Sequence, residues 1–198
     1  AMDSVGTRGM RRLATATVLI LLGLCAPVVV VAEAVRPTSS FEFESLSDGV
    51  WLFLPAANRN DLTNALVVER DDGLLIIEAQ PTPEAAREFL AALKKVSDRA
   101  VRYLVLSHAH AESAGGASAF PESTLLIGTQ RCREALEDPA FDFGAEARLR
   151  AISPREWTEP PRVPPTLTLH ARAHLGDTRN PVELLPVTHA HTPGDMIV

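Results

Sequence analysis

Residues 106–116 read LSHAHAESAGG, a stretch that follows an apolar run and ends in two glycines. In an extended segment alternate side chains point to the same side, so His108, His110 and Glu112 are expected to converge. Imidazole and carboxylate groups are natural ligands of zinc. The stretch therefore predicts a metal-binding site at the end of a buried strand.

A second histidine pair, His189 and His191, lies further along the chain. Catalytic zinc sites commonly take three protein ligands and leave the fourth position to water, whose pKa the metal lowers to near neutrality. The first pair can supply two ligands and the second pair the third. Taken alone, His108 and His110 could be a chance pair in a loop, an alternative that the second pair argues against.

Apolar patterns on either side of these motifs predict strands and helices. The runs 65–68 and 74–77 are continuously apolar, which is typical of strands covered on both faces. Thr82 and Pro83 indicate the start of a helix that extends to about Val96. Further strands are predicted at 41–44, 50–54, 101–106, 125–127, 166–169 and 182–188, with a helix at 129–136 and a less regular region at 139–165. This order favours an α/β (α+β) fold in which helices cover sheets.

Residues 1–34 have the pattern of a secretory signal peptide. Three arginines precede an apolar run at 13–31, and Ala-Glu-Ala at 32–34 is similar to a signal-peptidase site. An uncleaved membrane anchor is the alternative, because the run is just long enough to span a bilayer. We expect cleavage, which leaves a domain at residues 35–198, a periplasmic or extracellular location and no stable membrane association.

The composition is that of a soluble globular chain. Hydrophobic residues make up 46% of the sequence and charged residues 22%, and the formal net charge is −6 with acids and bases scattered. Because there is no basic stripe, we expect a small-molecule substrate and no nucleic-acid partner. Once residues 1–34 are removed, Cys132 is the one remaining cysteine, so no internal disulfide can form.

At these residues the chain resembles a known family. The stretch 106–116 is similar to the His-x-His-x-Asp-His-x-x-Gly-Gly signature of the metallo-β-lactamase superfamily, and HTPGD at 191–195 is similar to that family's later His-Thr-x-Gly segment. The resemblance covers roughly residues 41–198. It implies a four-layer αββα sandwich, of which this chain would be an incomplete, N-terminal portion with the C-terminal part missing.

The resemblance also implies a ligand set. His108, His110 and His191 match the three histidines of the family's first zinc ion, whereas His189 matches no ligand position. Glu112 stands where the family has Asp and is expected to be both a metal ligand and the catalytic base. Ser113 stands where the family commonly has His, so we expect one Zn²⁺ ion and a degraded second position.

Two further features surround the metal motif. Glu78 lies at the end of an apolar strand where many relatives carry Asp, and we expect its carboxylate to bond to the backbone of the motif. Gly115 and Gly116 are expected to allow a close backbone approach beneath the metal.

Two functions remain open at this point. The first is a secreted zinc-dependent hydrolase of the metallo-β-lactamase superfamily, in which a metal-bound hydroxide attacks an ester, thioester or amide-type bond. The alternative is a non-catalytic binding protein of the same fold with a degraded metal site. The departures at Glu112 and Ser113 motivate this alternative.

Overall fold

The computed structural model describes residues 40–57, 59–144, 158–188 and 190–198. The predicted signal peptide, the middle of the irregular region and His189 lie outside these ranges. In the described residues no helix is both long enough and apolar enough to cross a bilayer. The strands are β1 (Phe41–Ser47), β2 (Val50–Pro55), β3 (Ala65–Arg70), β4 (Gly73–Ile77), β5 (Val101–Val105), β6 (Leu125–Thr129), β7 (Leu167–Leu169), β8 (Ala173–Leu175), β9 (Val182–Val187) and β10 (Asp195–Ile197).

In the part of the chain that the structure describes, three α-helices connect or follow these strands, α1 (Pro83–Leu93), α2 (Ala111–Ala114) and α3 (Gln130–Glu137), with a 3₁₀ turn at Ala117–Ala119. Helix α1 begins as predicted, because the hydroxyl of Thr82 accepts a hydrogen bond from the backbone of Ala85 and Pro83 needs no donor at the first position. It ends earlier than the predicted Val96. After Leu93 the backbone continues in a tighter turn with hydrogen bonds between residues three apart, such as that from Val96 N to Leu93 O at 2.9 Å.

The described strands form two sheets. Strands β1 to β7 lie side by side in chain order, antiparallel from β1 to β4 and parallel from β4 to β7. The second sheet has the antiparallel order β10-β9-β8. The predicted helix-covered α+β class is therefore confirmed.

Strand β4 shows why a continuously apolar run forms here. All five of its residues are buried. Leu74 and Ile76 face a core shared with α1 and α3, whereas Leu75 and Ile77 face a second core shared with β9 and β10. The large sheet is thus covered by helices on one face and by the small sheet on the other, which gives three layers in the described residues. The fourth layer of the expected sandwich stays a prediction.

The two sheets are also joined at the end of β4 that lies away from the metal motif. The guanidinium of Arg70, which is buried, donates to the carbonyl oxygens of Leu175 (3.0 Å) and Gly176 (2.8 Å). The backbone of Asp71 donates to the carboxylate of Asp177 at 2.8 Å. Strand β8, in which His174 lies, was not predicted from the sequence, because three residues are too few to show a period.

Candidate metal centre

The parallel strands bring three loops to one edge of the large sheet. Strands β4, β5 and β6 all end there, and the residues that follow them are Glu78, Leu106 and Gln130. Carboxyl ends of parallel strands are the usual place for a ligand site in layered α/β folds. The metal loop, residues 107–116, follows β5 at this edge.

The small sheet brings the second histidine motif to the same edge. The backbone of Met196 in β10 donates to Ser107 O at 2.7 Å, and Thr129 Oγ1 donates to Gly194 O at 2.7 Å. These bonds fix the loop between β9 and β10 against the metal loop. His191 lies in that loop, so the centre combines residues from both sheets.

The metal loop is not extended throughout, as the alternation of its side chains had suggested. His110 caps α2 with extended backbone angles, and Glu112 lies in the first turn of that helix. The backbone of Ala114 donates to His110 O at 3.0 Å, which closes the turn. Helix α2 therefore turns Glu112 back toward His108, which lies two residues before the cap, and the two side chains do not share one face of a strand.

The structure brings His108, His110, Glu112 and His191 together, with their potential ligand atoms all within 4.8 Å of one another. The ring centroids of the three histidines are 5.0 to 5.2 Å apart. His110 Nδ1 lies 3.1 Å from His191 Nε2, and His108 Nε2 lies 3.1 Å from Glu112 Oε1. These four residues could bind a metal ion.

Two of the spacings suit zinc. Atoms that are each about 2 Å from a tetrahedral zinc ion lie about 3.3 Å apart, and the two 3.1 Å contacts are close to that value. Glu112 Oε2 is buried and has no hydrogen-bond partner in the described residues. A buried carboxylate oxygen without a donor is costly, and a bound cation would satisfy it. The donor set therefore fits the ion that the sequence predicts.

The charges of the cluster favour a cation. Burial raises the pKa of Glu112, but hydrogen bonds from His108 and from the backbone outweigh it and leave that pKa below the ordinary value. For His108 burial lowers the pKa, and the hydrogen bond to Glu112 with the nearby carboxylates of Glu78 and Asp195 raises it above the ordinary value overall. The carboxylates of the cluster thus favour positive charge at this place, and a metal ion can supply that charge instead of a proton.

Asp195 holds the loop that carries His191. Its carboxylate accepts from the backbone of Thr192 at 2.9 and 3.0 Å and also from the Thr192 hydroxyl. These bonds outweigh burial and keep the pKa of Asp195 below its ordinary value. Asp195 thus shapes the turn without joining the ligand set.

The glycines of the metal loop have the role that was predicted. A methyl group on Gly115 would lie 2.0 Å from Pro81 O, and one on Gly116 would lie 2.1 Å from Ala79 O. The backbone of Ala79 also donates to Ser113 O at 2.7 Å. The loop after β4 therefore lies directly beneath the metal loop.

Two neighbours of the centre were missed from the sequence. Phe141 stacks on the ring of His110, with centroids 5.4 Å apart and ring planes 12° from parallel. Ser107 Oγ lies 2.9 Å from His108 Nδ1. No pattern marked Phe141, whereas Ser107 directly precedes a predicted ligand and could have been examined as its partner.

Open space adjoins the centre on the side of α3. A cavity of about 680 Å³ is lined by His191, Thr188 and Arg131, among others. A smaller cavity of about 240 Å³ is lined by Arg131, Phe141 and Gly194, among others. Arg131 is exposed and lines both.

Comparison with known proteins identifies the class. The family model of the metallo-beta-lactamase superfamily matches residues 58–198, and the chain belongs to this superfamily. A metallo-beta-lactamase type 2 from Bacillus sp. (strain 170) is 23% identical over 122 residues, which are 57% of this chain and 48% of that protein. The chain thus spans about half the length of this curated relative.

Solved structures show the same fold at low sequence identity. The stereoselective inverting sec-alkylsulfatase Pisa1 from Pseudomonas sp. matches with a TM-score of 0.59 and 15% identity, over 79% of this chain and 29% of that chain. A metallo-beta-lactamase from Pontibacter korlensis matches with a TM-score of 0.58 and 16% identity, over 79% of this chain and 65% of that chain. The predicted metallo-β-lactamase fold is confirmed.

Proposed function

We propose that the protein is a secreted, zinc-dependent hydrolase that cleaves an ester, thioester or amide-type bond of a small molecule. The observation that carries this proposal is the convergence of three imidazoles and one carboxylate from two different sheets on one point. Chance pairs of histidines in loops do not meet in this way. Membership of the metallo-beta-lactamase superfamily supports the same chemistry.

His108, His110 and His191 would hold the metal, and Glu112 would complete the set. When bound, zinc supplies a Lewis acid and lowers the pKa of water to near neutrality. The half-buried position of His108 and the stacking of His110 on Phe141 keep both rings in place before the metal arrives. Such preorganised ligands add rate because little reorganisation is left for the reaction.

Glu112 is our candidate for the catalytic base. Its Oε1 contacts His108, while its Oε2 has no donor in the described residues, so a water molecule brought in with the cation would donate to this oxygen and pass it a proton. Its lowered pKa keeps the carboxylate ionised near neutral pH, which is the state that accepts a proton. The 680 Å³ cavity beside His191 is large enough for a small organic substrate.

Metal analysis and hydrolysis assays test the proposal. Protein purified without chelators should contain about one zinc ion per chain, as catalytic sites of this ligand type do. A panel of a thioester, a lactone, a lactam and a secondary alkyl sulfate then finds the substrate class. Protein that retains no zinc, or that turns over none of these substrates when loaded, would contradict the proposal.

The role of Glu112 has its own test. Glu112→Gln should lower kcat by about 10²- to 10⁴-fold, the usual contribution of a positioned acid or base. Glu122→Gln, which removes the same charge from an exposed position outside the cluster, is the matched control and should leave kcat unchanged. Equal activity of both variants would exclude Glu112 as the base.

The second candidate function is a non-catalytic binding protein of the same fold. It is favoured by Glu112 and Ser113, which replace the Asp and His of the signature, and by the complete burial of Ser113. On this hypothesis the double variant Glu112→Asp with Ser113→His gains an activity that the parent lacks. On the hydrolase hypothesis the same double variant is less active, since moving the carboxylate by about 1 Å can cost about 100-fold in rate.

Secretion forms part of the proposal. Its support is the order of basic residues, apolar run and Ala-Glu-Ala in residues 1–34. Expression of the whole chain in a bacterial host, followed by cell fractionation and N-terminal sequencing, should give a periplasmic protein that begins near residue 35. A cytoplasmic protein with an intact N-terminus would contradict it.

A further inference from the structure

Behind His108 lies a group that the proposed chemistry does not use, the carboxylate of Glu78. Its backbone φ is +79°, which is uncommon for a residue with a side chain and persists only where the surrounding structure enforces it. Its N–H donates to Val105 O at 3.1 Å, and the next residue, Ala79, donates to Ser113 O at 2.7 Å. The fold therefore directs Glu78 to this place against the preference of its own backbone.

Burial raises the pKa of Glu78, and the nearby hydroxyls of Ser107 and Ser113 offset part of this rise. Even so, Glu78 Oε2 is buried without a hydrogen-bond partner in the described residues. Ser107 Oγ is 2.9 Å from His108 Nδ1 and 3.4 Å from Ser113 Oγ. Ser107 thus stands between the imidazole of His108 and a carboxyl group with one oxygen that lacks a donor.

The proton positions on His108 link these contacts. An ionised carboxylate only accepts, so the 3.1 Å contact with Glu112 Oε1 places a proton on His108 Nε2. A metal ion requires that nitrogen without its proton. A neutral imidazole then carries its proton on Nδ1, which donates to Ser107 Oγ. The hydroxyl proton of Ser107 is released from His108 and can turn to Glu78.

We propose that Glu78 acts through Ser107 as a positioning residue that holds His108 in the tautomer that binds the metal. The chain runs from His108 Nδ1–H to Ser107 Oγ and from Ser107 O–H to the Glu78 carboxylate. Each donor has one acceptor, and the buried oxygen of Glu78 gains the donor that it lacks. The inference rests on the proposed function, because it requires a metal ion at His108.

Two variants break this series of hydrogen bonds at different residues. Ser107→Ala removes the hydroxyl, and Glu78→Gly removes the carboxylate while suiting the positive φ, so its backbone is not strained. Each should weaken Zn²⁺ binding by about 10- to 100-fold, the usual effect of losing a partner behind a metal ligand. The double variant should bind zinc about as tightly as the single variant with the larger loss. The two losses do not add, because both changes interrupt the same series of hydrogen bonds.

Ser113→Ala is the matched control for the serine. It also removes a hydroxyl near Glu78, but in the described residues the hydrogen-bond partners of the His108 ring are Ser107 and Glu112, not Ser113. Zinc affinity is measured by competition with a chromophoric chelator, and thermal unfolding without zinc checks that each variant folds. If Glu78→Gly does not fold, the comparison of zinc affinity between Ser107→Ala and Ser113→Ala tests the inference.

The tautomer itself gives a second measurement. In ¹⁵N spectra of the zinc-loaded parent, His108 should show a protected Nδ1–H, which Ser107→Ala and Glu78→Gly should lose. A purely structural role of Glu78 would change thermal stability and leave this signal in place. Unchanged affinity in Glu78→Gly, or additive losses in the double variant, would overturn the inference while the hydrolase proposal stands. A parent chain that binds no zinc would overturn both.

Discussion

The metal loop, residues 107–116, is mostly buried and held from several sides, whereas the described residues of the His191 loop, 188 and 190–194, lie largely at the surface. The metal loop rests on β5, packs two glycines against the loop after β4 and contains a turn of helix. The His191 loop is held chiefly by Asp195 and by the bond from Thr129 to Gly194. One half of the centre is therefore preorganised, and the other half can adjust.

This difference has a functional consequence. Ligands in a buried loop keep their geometry at all times, which favours tight metal binding. A ligand on an exposed loop can move when a substrate enters the adjoining cavity, because less packing opposes its displacement. We expect the two loops to respond differently to the same kind of change.

The largest effect should come from removing a ligand in each loop. His108→Ala and His191→Ala should both weaken zinc binding by more than about 100-fold, which exceeds the cost of losing an outer partner. The two should differ in unfolding of the zinc-free protein. His108→Ala removes the side-chain donor of the buried Glu112 and should cost about 1–3 kcal/mol, whereas His191→Ala should stay within about 0.5 kcal/mol.

Chelator competition gives the affinities and urea denaturation gives the free energies of unfolding. An equal loss of stability in the two variants would remove the distinction between the loops. Retained tight binding in His191→Ala would show that the small sheet supplies no ligand.

The next largest effect concerns the glycines. Gly116→Ala should lower the free energy of unfolding by about 3 kcal/mol, since the added methyl meets a backbone carbonyl that cannot move aside. Gly194→Ala, whose methyl would lie 2.6 Å from Cys132 N, should lower zinc affinity more than stability because it displaces the His191 loop. Gly176→Ala is the control, with no atom within 4 Å of the added methyl.

Thermal unfolding and zinc titration of the three glycine variants separate these effects. If Gly194→Ala proves as destabilising as Gly116→Ala with no change in affinity, the His191 loop is as rigid as the metal loop.

The stability of the zinc-free protein and the affinity for zinc should depend on pH with opposite signs. The pKa of His108 is raised in the folded protein, so the stability it provides is present below about pH 6.5 and is lost as pH rises through the raised value. Zinc-free protein should therefore become less stable above neutrality. Zinc affinity should instead fall on acidification, beginning above pH 6.5, by up to about tenfold per pH unit for each protonated ligand histidine.

Urea denaturation of zinc-free protein and zinc titrations across this pH range measure both trends. The variant His108→Gln should abolish the trend in zinc-free stability. The same sign for both trends in the parent would contradict the assignment of His108 as the shared proton and metal site.

The smallest effect should be at Arg131, which lines the cavity beside the exposed loop. If the substrate carries an anionic group, Arg131→Ala should raise its KM about fivefold and leave kcat unchanged, as expected for one exposed charge-assisted contact. Arg87→Ala, an exposed arginine on α1, is the matched control. A change in kcat without a change in KM would place Arg131 in the chemistry instead.

The sequence predicted most of the strands and the two longer helices, because their patterns are local. Continuous apolar runs marked β3 and β4, and Thr82 with Pro83 marked the start of α1. It did not show α2 or β8, which have four and three residues and no measurable period. It also placed Glu112 on an extended segment, whereas helix α2 turns this residue back toward His108.

The sequence by itself determined which side chains could bind a metal, since residue type and the spacing of His108, His110 and His191 are written in it. Only the tertiary structure decided that these residues meet, because His191 comes from a different sheet and reaches the others through bonds between distant segments. It alone placed Glu78, at a positive φ, and Ser107 behind His108. The physical reason is that a side chain's chemistry is local, whereas its neighbours are set by the packing of the two sheets.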